Sequence, residues 1–218
     1  RSCRSYSNKN NKFFKLILRD KTAILKFLLI GGFFYIIPLD TIAQQSNDAP
    51  YVIVLGTVQD GGSPHLGCNK NCCEALTVFQ KEARKVTALG VVEPKTDFNL
   101  LFEATPDIIS QWKIFPSTPK AIFLTHAHMG HYSGLLQLGR EALGAKNIPV
   151  HVMPRMAGFL NDNGPWNQLI SLGNIKLFPM VENQSIYFTN EIIITPLIVP
   201  HRDEFSETVG YRIQGPNK

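Results

Sequence analysis

The chain has 218 residues, 44% of them hydrophobic and 18% charged, with a formal net charge of +5. That size and balance fit one globular domain or two small ones. Residues 1–43 hold eight Lys/Arg and two Asp, a net +6, so residues 44–218 carry −1. A near-neutral body gives no electrostatic ground for binding nucleic acid.

The basic excess has its own pattern. Basic residues run to Lys26, an apolar stretch fills 27–37, and Pro38, Asp40 and Thr41-Ile42-Ala43 follow, with small residues at a cleavage position. This is the layout of a secretory signal. The apolar core is shorter than the roughly 20 residues of a stable membrane span. The reading is a signal peptide over 1–43, a polar linker over 44–50 and a folded domain over 51–218. An uncleaved N-terminal anchor is the alternative. Export would place the domain in a periplasmic or extracellular compartment.

The elements follow in chain order. Residues 51–56 are apolar and β-branched and end in Gly, which predicts a buried strand. Residues 57–71 form a loop rich in Gly and Pro, and 72–85 hold a short helix. Strands follow over 88–92 and 99–103. Thr105 as N-cap and Pro106 at the first helical position start a helix that runs through Trp112. Residues 121–124 form a strand that runs into Thr125 and a histidine cluster. A helix over 133–143, a strand over 148–152 and a helix over 154–160 come next. The last third reads as strands over 175–178, 186–189, 191–199 and 208–213. Strands with intervening helices predict a layered α/β domain.

Three histidines, His126, His128 and His131, fall within six residues. On an extended segment, i and i+2 project to one side. Gly130 lets the chain turn and bring His131 back toward the other two. A strand delivers the loop and a helix follows it, so the rings sit on a rigid edge. Neutral imidazole suits zinc, iron or manganese. His151 ends a strand and reads as structural. Trp166 reads as a packing residue, with a place at a substrate mouth as the alternative. No phosphate-cradling glycine loop and no serine nucleophile elbow is present.

The run Leu124-Thr125-His126-Ala127-His128-Met129-Gly130-His131-Tyr132-Ser133-Gly134-Leu135 resembles the T-H-x-H-x-D-H-x-x-G signature of the metallo-β-lactamase superfamily. With residues 51–57, the run Asp60-Gly61-Gly62-Ser63-Pro64 and residues 102–108, it is most similar to the branch of pyrroloquinoline quinone biosynthesis protein B. The resemblance implies a metallo-β-lactamase-like αββα sandwich. It also implies a domain incomplete at its C-terminus, because a later aspartate and a final histidine of relatives would lie past Lys218. A histidine some 70 residues after the cluster is expected in the superfamily, and His201 fits. By that logic His126, His128 and His201 form the first metal site, and His131 belongs to a second.

The signature aspartate, which in relatives ligates the second metal, is Gly130 here. The expectation is therefore one ion, zinc first and iron or manganese next, with an open position for water. Such an ion brings the pKa of water to about 7. Asp203 and Glu204, beside His201, are weak candidates for a general base; solvated loop carboxylates are the plainer reading. Glu103 stands where relatives place a buried acid that braces the histidine loop, with simple strand-end exposure as the alternative. Related chains hold a structural zinc in a Cys-rich loop, which suggests a clip of His65, Cys68, Cys72 and Cys73. A disulfide is the alternative that export favours.

These readings combine into a metal-dependent hydrolase acting on an ester, phosphodiester, lactone or amide of a small-molecule substrate. Two rivals use the same histidines. One is a cofactor-biosynthesis oxidoreductase with a His-bound iron, and the other a non-catalytic metal-binding module.

Overall fold

The computed structural model describes residues 48–202 and 204–216. The segment read as a signal, and Asp203, lie outside them. A six-stranded sheet runs in the order β1 (Tyr51–Gly56), β2 (Ala88–Glu93), β3 (Phe98–Phe102), β4 (Ala121–Phe123), β5 (Ile148–Val152) and β6 (Ile175–Pro179). Strands β1, β2 and β3 pair antiparallel, and β3 to β6 are parallel. A second, antiparallel sheet is formed by β7 (Ile186–Tyr187), β8 (Ile193–Ile198) and β9 (Val209–Gln214).

Strand alternation sorts the core into two layers. Leu101, Ile122 and Val150 point from the large sheet into a cluster with Ile108, Leu135, Met156, Leu160 and Leu169. These belong to or flank the helices α3 (Ile108–Trp112), α5 (Pro154–Asp162) and α6 (Trp166–Ser171) and the 3-10 helix Ser133–Leu138. Leu100, Phe102, Ala121 and Phe123 point the other way, against Ile194 and Val209 of the second sheet and Ile192 just before it. The layers are therefore helix, sheet, sheet. Leu100, Leu101, Ile122 and Phe123 are fully buried, and each contributes roughly 2 kcal/mol through its lost contact with water.

Several boundaries differ from the sequence reading, each for a local reason. The loop from β1 leads to two short helices, α1 (Asn71–Glu74) and α2 (Val78–Glu82), rather than one. Helix α3 starts at Ile108, not at Pro106. Thr105 Oγ1 accepts the Asp107 N–H and donates to Gln111 Oε1, which spends the hydroxyl on a turn. The helix expected over 133–143 is α4 (Met129–Tyr132) followed by the 3-10 turn, closed where the Gly139 N–H bonds to the Leu136 carbonyl. Strand β8 begins at Ile193 because Thr189 Oγ1 accepts from the N–H groups of Glu191 and Ile192. Among the described residues, no helix is long and apolar enough to cross a membrane.

Candidate metal centre

Strand β4 ends at Phe123, and the chain beyond it carries Thr125, His126 and His128 into α4, which holds His131. The loop is tied down on two sides. Ala104 N–H donates to the His131 carbonyl and Gly134 N–H to the Ala104 carbonyl. A Cβ on Gly134 would meet the Thr105 carbonyl oxygen at 2.1 Å, so only glycine permits this docking. From the other side, Ala127 N–H donates to Ser206 Oγ, and Val209 N–H to the Thr125 carbonyl. The Tyr211 hydroxyl donates to the Leu124 carbonyl. These bonds fix the segment after β8, which carries His201, against the histidine loop.

Four imidazoles converge. The ring of His126 lies 4.4 Å from that of His128, 4.2 Å from His131 and 4.7 Å from His201. One ring nitrogen of each of His126, His128 and His201 lies within 4.8 Å of the others. Hydrogen bonds orient the rings. His201 Nδ1 donates to the Arg202 carbonyl at 3.0 Å, leaving Nε2 as a lone pair. His128 Nε2 donates to Glu204 Oε2 at 3.2 Å, which turns Nδ1 toward His126. His126 Nδ1 meets Thr125 Oγ1 at 2.8 Å, and its Nε2 faces His128 Nδ1 at 2.9 Å. Burial, and then the charges of His131, His128 and His201, hold His126 down to about 3, so it is neutral at pH 7. Three imidazoles with one ring nitrogen each turned inward are a donor set that fits a borderline divalent ion.

His131 is placed differently. Its Nε2 lies 3.1 Å from Asp60 Oδ1, and its Nδ1 lies 3.4 Å from Glu103 Oε1. Burial pulls its pKa down, but the bonds and charges of Glu103 and Asp60 outweigh burial and hold it above the ordinary value. Glu103 is 5% exposed and sits at φ 77°. Its Oε2 accepts the Thr125 N–H at 3.3 Å, and its own N–H donates to the Phe123 carbonyl. A non-glycine residue in that region is strained unless its surroundings fix it. The described bonds do so, aiming the carboxylate under the histidine loop.

Asp60 is the site residue that sequence reasoning did not single out. It lies in the loop after β1, and a Cβ on Gly130 would meet its Cα at 2.5 Å and its Cβ at 2.7 Å. The signal for it was the glycine at 130, where the signature carries an acid.

The cysteine reading needs correction. Cys68 and Cys73 are joined as a disulfide, and the described residues include no free cysteine. A disulfide sulfur has no thiolate charge with which to ligate zinc. His65 Nδ1 meets the Leu66 carbonyl at 2.8 Å instead of facing the sulfurs. The expected clip of His65, Cys68, Cys72 and Cys73 therefore does not form. His151 stacks on Phe123 at 4.6 Å between centroids and on Phe178 at 5.4 Å, inside the core. Trp166 packs on Tyr132 at 4.9 Å.

A family model described as the beta-lactamase superfamily domain matches residues 98–218. The chain belongs to that superfamily. Within it, the chain is 32% identical over 97 residues to coenzyme PQQ synthesis protein B of Nitrosococcus oceani, covering 39% of this chain and 31% of the relative. It is 33% identical over 98 residues to the protein of the same name from Azoarcus sp., covering 40% and 32%. The matches thus span about a third of these relatives' length. Among solved structures, Zn(2+)-bound PqqB from Methylobacterium extorquens is similar with a TM-score of 0.60 and 22% identity, covering 77% of this chain and 62% of that one. A diphosphatase of the PhnP family gives a TM-score of 0.58 at 22% identity, covering 76% and 62%. These two likenesses show the superfamily's fold, and the sequence matches add a branch similar to PqqB.

Proposed function

We propose that this chain is an exported metal-dependent hydrolase acting on a small-molecule ester, phosphodiester, lactone or amide. One observation carries the reading: the imidazoles of His126, His128 and His201 bring one ring nitrogen each to within 4.8 Å of the others. Three protein ligands with an open position make a catalytic rather than a structural site. His201 is exposed, so that position opens to solvent. Zinc is the first expectation, and iron or manganese would suit the same ligands.

A divalent ion held there acidifies water and polarises a carbonyl or phosphoryl oxygen. The chain's own residues do the rest. Thr125, Glu204 and the Arg202 carbonyl each hold the outer nitrogen of one imidazole, which keeps the other nitrogen aimed inward. Glu103 and Asp60 hold His131 in place from either side. Glu204 is half exposed beside His128 and is the described carboxylate best placed to take a proton at the solvent edge. Export is supported by the N-terminal pattern and by the Cys68–Cys73 disulfide, which suits an oxidising compartment.

The test is a panel of ester, phosphodiester, lactone and amide substrates with metal-loaded full-length protein. Turnover that falls at least 100-fold in His128→Ala supports the reading, a loss beyond the roughly 10–100-fold that removing a residue behind a ligand produces. A panel without turnover, or unchanged turnover in that variant, counts against it. The relatives named for coenzyme PQQ synthesis favour a second reading, in which the same histidines hold iron in an oxidative step. Iron as the ion retained on purification, with oxygen consumed on turnover, would select it.

A further inference from the structure

Asp60 and His131 stand outside the three-histidine group but press against it. The His131 ring lies 4.2 Å from the His126 ring. Asp60 Oδ1 lies 3.1 Å from His131 Nε2, and Oδ2 lies 3.9 Å from His128 Nδ1. Asp60 and His131 are 71 positions apart, so tertiary structure alone unites them. The approach is built into the backbone. A Cβ on residue 130 would fall 2.5 Å from the Asp60 Cα, 2.7 Å from its Cβ and 2.9 Å from its Cγ. The Asp60 side chain therefore starts where a side chain on residue 130 would start.

We infer that Asp60 and His131 form a second divalent-cation half-site beside the three histidines, with Asp60 supplying the carboxylate that Gly130 cannot. His131 Nδ1 faces Glu103 Oε1 at 3.4 Å. Release of the Nε2 proton on ion binding leaves that nitrogen's lone pair turned toward Asp60, with the Glu103 carboxylate beside Nδ1. The 3.1 Å between Nε2 and Oδ1 suits two ligands of one ion, since bonds of about 2.0–2.2 Å place ligand atoms roughly 3 Å apart. One imidazole and one carboxylate form a harder set than three imidazoles, so zinc and manganese both fit. Asp60 is only half-buried, which leaves room for water to complete the coordination. The inference rests on the three-histidine reading for its neighbour, but its own ligands are distinct from that group.

The experiment is calorimetric titration of chelator-stripped full-length protein with Zn2+ and, separately, Mn2+. Bound metal is counted after dialysis, and circular dichroism verifies folding of each variant. The expected result is two equivalents per chain, the second weaker. Asp60→Asn should remove the weaker equivalent and change the affinity of the tighter one less than about 3-fold. His128→Ala should remove the tighter one. Gly130→Ala keeps every ligand but displaces the Asp60 backbone, and should weaken the second equivalent at least 10-fold. Saturation at one equivalent, or two retained in Asp60→Asn, overturns the inference while leaving the three-histidine site standing. Loss of the tighter ion in Asp60→Asn also overturns it, because Asp60 would then serve the three-histidine site. Uptake of no ion overturns both.

Discussion

Asp60 and Gly130 share one space: a Cβ on residue 130 would lie 2.5 Å from the Asp60 Cα, too close for any side chain to adjust. Gly130→Ala must push the loop after β1 outward or distort α4. The expected cost is about 1–3 kcal/mol, the range for overpacking a fitted contact. Gly158 in α5 has no neighbouring atom within 4 Å of its Cβ position. Gly158→Ala should therefore be neutral or stabilising by up to about 1 kcal/mol. Denaturant melts of the two variants check the contrast, and hydrogen exchange should quicken over residues 57–67 in the first alone.

Glu103 braces the histidine loop through the Thr125 N–H and stands 3.4 Å from His131 Nδ1. Glu103→Gln keeps the shape but removes the charge that holds the imidazole proton. Metal affinity should fall about 10–100-fold, the usual effect of losing a carboxylate behind a ligand. Competition titration with a chromophoric chelator measures this. An affinity change under 2-fold would assign Glu103 to backbone support alone.

His151 gives a pH signature in stability, separate from the site. Burial among Phe123, Phe178 and Phe188 depresses its pKa from 6.5 to about 4. The unfolded chain thus takes up a proton between those values while the folded chain does not. The contribution is fully present above pH 6.5 and is lost as the pH falls toward 4. His151→Phe should flatten that part of the stability profile, measured by urea midpoints between pH 7 and pH 4.5. An unchanged slope would mean that other groups carry it.

The Cys68–Cys73 disulfide closes a short loop. Chain-entropy arguments give about 2 kcal/mol for closing a loop of this size. Reduction of the native protein should lower stability by that order, and added zinc should not restore it. Cys68 and Cys73 thiols that alkylate readily in the oxidised, folded protein, together with one zinc lost on alkylation, would reinstate the zinc clip.

The sheets were legible because buried strands are short, apolar and β-branched. The runs around Leu101, Ile122 and Val150 became buried, paired strands; the run around Val54 pairs too, but at the sheet edge, where Tyr51, Val52 and Val54 are exposed rather than buried. The histidines were legible because their spacing is local and His201 follows a strand. Asp60 was not, because its partner lies 71 positions away and no periodicity links a loop carboxylate to a distant ring. Helix α6 was not anticipated: it is a six-residue helix whose N-cap, Pro165, makes no side-chain hydrogen bond to signal its start. The helix expected over 133–143 shrank because Gly134 is spent on docking to Thr105. The pairing of Cys68 with Cys73 could not follow from spacing, which leaves connectivity open.

The central claim is that His126, His128 and His201 share one divalent ion, and His201 tests it most directly because it lies 73 positions from His128. Zinc affinity of the full chain should fall at least 100-fold in His201→Ala, with folding unchanged by circular dichroism. His65→Ala, whose ring bonds to the Leu66 carbonyl and is not one of the three, should leave it unchanged. Equal zinc affinity in wild type and His201→Ala would contradict the account.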